Sequence, residues 1–231
     1  MGFHVSMEIL AQHNVSTFKS RCPEIKLGQD VCHLVNTEFP HYSMTKLQPI
    51  FDKHIKKNKN PSAIMFLINR LYNDRPYFPD EAFYPNYFQD LFYYIKKHHS
   101  FNCQESSLLS ALVLKLNGIE NVYTAGICDG AAEIDHLVSF FNRDGSEYDG
   151  EIRNNQTIIV DPWTGLCNFA NNIFKLYTNM WKKYFKISEC DKGLINGKYK
   201  FTDACKMQIP KSNGFEDYIK DIYPNLVLKN S

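Results

Sequence analysis

Apolar residues in the first hundred positions fall in helical clusters separated by proline-containing breaks. Residues 1–40 carry the weakest pattern: Met7-Glu8-Ile9-Leu10-Ala11-Gln12 reads as a short helix, while Cys22-Pro23 and Phe39-Pro40 read as loop. Leu47, Ile50, Phe51 and Ile55 share one face of a helix running from Lys46 towards Lys57, with Ser43 and Thr45 as candidate caps. Pro61 suits a first helical position and opens the apolar run Ser62-Ala63-Ile64-Met65-Phe66-Leu67-Ile68. Asn73-Asp74-Arg75-Pro76 and Phe78-Pro79 break the chain again. A helix is then expected over Tyr87 to Ile95, with Asp80-Glu81 as a candidate cap and Lys96-Lys97-His98-His99 favourably placed at its C-terminal dipole end.

From residue 100 the period changes. One helix, Cys103 to Asn117 with Gly118 as its stop, precedes short β-rich runs at Asn121–Ala125, His136–Phe141 and Thr157–Val160. Asn142-Arg143-Asp144-Gly145 is a turn and Ser146 to Asn155 a polar loop. Helical character returns around Ile173–Trp181 and Phe215–Ile222. Helices followed by a helix leading into antiparallel strands define an α+β protein. The expected division is a mostly helical region over residues 1–99, packed on a core formed by residues 100–231. No internal repeat or low-complexity tract interrupts either part.

Composition narrows the possible functions only slightly. The 231 residues are 44% hydrophobic, enough for a sizeable core, and the 17 Phe and 14 Tyr suit packing as readily as ligand binding. A net charge of +1 removes any global argument for nucleic-acid or membrane binding. The basic run Lys53 to Lys59 reads as the solvated end of a helix. No window reaches the ~18 apolar residues of a membrane span, and the start of the chain lacks a secretory signal pattern. Met1-Gly2-Phe3-His4-Val5-Ser6 fits the short N-myristoylation pattern, which also arises by chance or from an expression remnant, so lipidation of Gly2 is left open. Seven cysteines include no CxxC pair, and Cys32-His33 has no companions at zinc-ligand spacing. Reduced thiols are therefore expected, with no metal and no cofactor.

Three segments carry candidate chemistry. Asn102 followed by Glu105 forms a capping-box pattern that puts Cys103 in the first turn of its helix. There the unpaired amides and the dipole favour a thiolate and can receive an oxyanion. Asp135-His136 opens the strand-like run Leu137-Val138-Ser139-Phe140-Phe141, and Thr157-Ile158-Ile159-Val160 ends in Asp161-Pro162-Trp163. Thiol, imidazole and carboxylate in that order are the parts of a nucleophile, its base and the base's orienter, with Trp163 placed to shield them. Each residue alone is explained as readily by packing or capping. Together, on a helix start and two hairpin strands, they are geometrically consistent. His98, His99 and Cys128 are weaker rivals for the same roles, and Cys167 reads as packing.

These motifs, Asn102-Cys103-Gln104-Glu105, Asp135-His136-Leu137-Val138 and Val160-Asp161-Pro162-Trp163-Thr164-Gly165, resemble those of the papain-like and transglutaminase-like cysteine enzymes. Within that superfamily the resemblance is to bacterial secreted effector proteases, the YopT-like and Legionella RavJ-like groups. It covers roughly residues 100–165 and implies a Cys-bearing central helix packed on an antiparallel sheet. It also implies Cys103 as nucleophile, His136 as general base and Asp161 as orienter, acting on a host protein in a host cell's cytosol. The expected activity is a cysteine protease working through an acyl-enzyme. A glutamine deamidase or transglutaminase with the same triad, or a catalytically silent protein-binding module, are the alternatives. The papain-like pattern places an oxyanion-hole Gln before the nucleophile, but Lys97-His98-His99-Ser100 stands there in this chain. The donors expected instead are the Cys103 amide with Asn102, Gln104 or an upstream side chain.

Overall fold

The computed structural model describes residues 22–39, 87–98, 102–129, 132–184, 198–209, 217, 219, 221 and 224–226. The helices expected near residues 7–12, 46–57 and 62–68 lie outside them. The described chain runs α1 (Pro23–Glu38), α2 (Tyr87–His98), α3 (Cys103–Leu116), β1 (Val122–Asp129), β2 (Ala132–Asn142), β3 (Thr157–Asp161), β4 (Leu166–Phe169), α4 (Ala170–Tyr184) and β5 (Tyr199–Lys206), with a 3-10 turn at Pro224–Leu226. Towards the chain's end, Asp217, Ile219 and Asp221 are helical. The fold is α+β, with one antiparallel sheet of order β4-β3-β2-β1-β5.

Each face of the sheet is covered, and strand alternation sorts the side chains between the two layers. Phe141, Ile158 and Val160 join α1, α2 and α3 in one core. Phe140, Ile159 and Val138 turn the other way and pack with Ile173, Phe174 and Tyr177 of α4. Every residue of β3 is therefore buried, as expected of an inner strand clad on both sides.

Helix α1 corrects the reading of Cys22-Pro23 as loop. Cys22 is its N-cap residue and Pro23 occupies the first turn, where the missing N–H costs nothing. Gly28 sits where α1 touches the sheet: a Cβ there would collide with Cys167 Sγ and come within 2.9 Å of Val160 Cγ2. Helix α3 starts as expected, the Asn102 amide donating to Glu105 Oε2 at 2.9 Å. Gly118, at φ +89°, lies just beyond its end.

A buried polar pin fixes α3 on the sheet. Ser139 in β2 donates to the Val160 carbonyl at 2.9 Å, and its oxygen lies 2.8 Å from Ser110 Oγ in α3. All the oxygens involved are removed from water, so sliding the helix would break a buried bond that no solvent could replace.

The strands differ from their expected extents. β1 and β2 form a longer hairpin, with Asp129 facing Ala132 at its tip. Along it Gly126 pairs with Leu137 but Ile127 pairs with Ile134, so Asp135 and His136 form a two-residue bulge on β2. His136 is thus inside a strand, not at its start. β5 carries a bulge too, where Asp203 adopts φ +51°.

Candidate functional site

The antiparallel pairing of β2 with β3 runs only from Asn142–Thr157 to Ser139–Val160. Beyond it, Asp161 is the last residue of β3, and the bulge carries the His136 side chain to the same end. His136 Nε2 donates to Asp161 Oδ2 at 2.8 Å, with both groups buried, at 2% and 1% exposure. The Cys103 thiol, half-buried at the start of α3, lies near enough to the same imidazole to help raise its pKa. Since Nε2 is taken by the carboxylate, Nδ1 is the nitrogen left to face the sulfur. His136 and Asp161 are therefore joined directly, and Cys103, from a third distant segment, lies beside the imidazole.

Aromatic rings enclose the imidazole. Trp163, buried in the turn after β3, lies 5.2 Å from the His136 ring, and Tyr177 of α4 meets it edge-on at 5.7 Å. The Asp161 carboxylate is held in turn by several donors. Its Oδ2 accepts from Tyr177 Oη at 2.5 Å and from Thr164 Oγ1 at 2.5 Å, and its Oδ1 from the Thr164 amide at 3.3 Å. Helix α1 supports the turn bearing these groups: Asn36 Nδ2 donates to the Pro162 carbonyl at 2.9 Å, and the Cys32 thiol to the Leu166 carbonyl at 3.6 Å.

Burial pulls the His136 pKa down, but the Asp161 charge and hydrogen bond, with the contact to Cys103, outweigh it and push it up to about 10. An imidazolium therefore persists at neutral pH. Burial raises the Asp161 pKa, yet the charge and hydrogen bond of His136 and the Thr164 and Tyr177 hydroxyls leave it below the usual carboxylate value. Burial and the adjacent Asp161 charge push Tyr177 well up, so its hydroxyl remains a neutral donor.

The remaining candidates divide clearly. Asn102 and Gln104 flank Cys103, and the Asn102 backbone amide donates to Glu105 Oε2 at 2.9 Å. The amides of Cys103 and Gln104 precede the first intrahelical bond, made by Ser106 to the Asn102 carbonyl. His98 ends α2, and His99 lies outside the described residues. Cys128 is half-buried in β1 without a helix start, and Cys167 is buried against α1. Among the described residues no group of three or more His, Cys, Asp or Glu could hold a metal, and no helix is long and apolar enough to cross a membrane.

Thr164 and Tyr177 were not found from sequence. Thr164 carried a usable signal, a hydroxyl three residues after an acid that ends a strand, where side chains cap turns. Tyr177 carried none, since with Ile173 and Phe174 it reads as one apolar helical stripe. Compared with protein-family models, curated proteins and solved structures, the chain matches none.

Proposed function

We propose that this chain is a thiol-dependent acyl-transfer enzyme of papain-like and transglutaminase-like kind, a cysteine protease acting on a protein substrate. The observation that carries the reading is the buried His136–Asp161 pair with the half-buried Cys103 sulfur beside it, an arrangement in which the Asp161 charge raises the His136 pKa. In the proposed cycle Cys103 Sγ adds to an amide carbonyl carbon, forming an S–C bond. The oxyanion is received by the first-turn amides of α3. His136 gives its proton to the departing nitrogen as the C–N bond breaks, leaving a thioester and a free amine. A water then attacks the thioester carbon, His136 takes its proton, and the S–C bond breaks to give a carboxylic acid and leave the free Cys103 sulfur beside the imidazolium, as at the start. Asp161 keeps the imidazole oriented and offsets its charge throughout. Buried Trp163 keeps water from competing for that hydrogen bond.

The motif resemblance extends the proposal to a host protein as substrate, in a host cell's cytosol. Alkylation at pH 6 tests the chemistry without knowing the target. Iodoacetamide should label Cys103 stoichiometrically while the exposed Cys205 reacts slowly. Equal rates at the two thiols would remove the enzyme reading. Incubating a host-cell lysate with wild type and with Cys103→Ala then separates outcomes by mass. New N-termini mean proteolysis, a gain of about 1 Da means deamidation and a cross-link means transamidation, all through one acyl-enzyme.

A further inference from the structure

Helix α4 belongs to the part of the chain the motifs do not reach, yet its Tyr177 touches two members of the site. The Tyr177 hydroxyl donates to Asp161 Oδ2, and its ring stands at 90° to the His136 ring with centroids 5.7 Å apart. Thr164 donates to the same oxygen through its hydroxyl. Three donors from β2, α4 and the β3–β4 turn thus converge on Oδ2, while Oδ1 accepts the Thr164 amide. A carboxylate held from so many directions cannot rotate away from the imidazole. A buried charge with that many donors is also compensated without water.

We propose that Tyr177, assisted by Thr164, is a positioning residue that fixes the Asp161 carboxylate with one oxygen on His136, and that it acts on Cys103 only through those two groups. The inference rests on the acyl-transfer reading of the site. Among the described residues, the titratable groups facing Asp161 are His136 from β2, Tyr177 from α4 and the Cys32 thiol from α1. Burial pushes Tyr177 and Cys32 well up, so both stay neutral through the working range and only His136 and Asp161 change charge. With fewer donors the buried carboxylate takes up a proton more readily, and once neutral it no longer sustains the imidazolium.

The test is the rate of Cys103 alkylation by iodoacetamide as a function of pH, in the full chain. Tyr177→Phe keeps the ring and its edge contact while removing one oxygen. The acid limb of the profile should move upward by about one pH unit. Below the displaced midpoint the variant should then alkylate up to about tenfold more slowly than wild type, and near neutral pH the two rates should converge. Thr164→Val should move the same limb in the same direction, and Thr164→Ser, which restores a hydroxyl, should return it to the wild-type position. This pair keeps the proposal testable if Tyr177→Phe does not fold. A purely structural tyrosine would lower the melting temperature and leave the limb in place; that result, or an unmoved limb in Thr164→Val, overturns the proposal. A wild-type Cys103 no more reactive than Cys205 would instead overturn the acyl-transfer reading itself, so the two failures are distinguishable.

Discussion

Replacing Asp161 by Asn removes one charge from a buried cluster while nearly preserving the side chain's shape. In the wild type the bonded nitrogen and oxygen are 2.8 Å apart. Their charge centres are then separated by about 4 Å, and at an effective dielectric of about 20 the attraction is about 4 kcal/mol. That corresponds to about three pH units in the protonation of the imidazole. That attraction, with the hydrogen bond to Asp161, outweighs burial and pushes His136 from the ordinary histidine value of 6.5 up to about 10. With the charge gone, burial acts with much less opposition, and His136 in Asp161→Asn should titrate in the ordinary histidine range or below it. Histidine labelled at its ring carbon and followed by NMR from pH 5 to pH 10 gives the direct reading. Linkage gives a second one. A base whose native pKa is raised stabilises the fold fully below pH 6.5, and that stability is lost as pH climbs through about 10. Urea unfolding of the wild type should show this decline across the alkaline range, and the variant should lack most of it. A wild-type imidazole that titrates near 6.5, or one unmoved by the substitution, would refute the electrostatic account.

Cys103→Ala should abolish labelling and activity while shifting the melting temperature by no more than a few degrees, since the thiol is half-buried and fills little core. Collapse of the fold in a thermal melt would make Cys103 structural instead. Ser139→Ala should cost about 1–3 kcal/mol in urea unfolding, because it leaves the Val160 carbonyl without its hydroxyl donor and deprives Ser110 of a partner. Ser106→Ala, in the same helix, should be neutral or mildly stabilising, because its buried hydroxyl has no partner to lose. Gly28→Ala should destabilise by about 1–3 kcal/mol despite better helix propensity. The new methyl collides with Cys167 Sγ, so adding Cys167→Ala should recover part of the loss in a double-mutant cycle.

The parts of the fold that were legible are those whose cause is local. The helix start at Cys103 follows from Asn102 and Glu105, and the end of β3 from Asp161-Pro162. What depended on a partner was not legible. Pro23 suggested a break because nothing nearby showed that it begins a helix, and Gly28 is explained only by the sheet it lies against. β4 is four residues long, and the alternation of β5 is interrupted at Asp203, so neither shows a clear period of two. The displacement of His136 into a bulge is a property of its pairing with β1 and has no signature in β2 alone. The pairing of His136 with Asp161 was anticipated from their places on neighbouring strands, while Tyr177 and Thr164 came into view only through contact.

The excess on β2 is an even number, and that has a consequence for how this chain relates chemistry to architecture. Excising Asp135 and His136 together would join Ile134 to Leu137 opposite Ile127 and Gly126, giving an uninterrupted ladder with inward and outward positions unchanged on both sides. The imidazole is therefore carried on a detachable cassette, and a shortened sibling would keep the strand ladder while lacking the base that the proposed cycle needs.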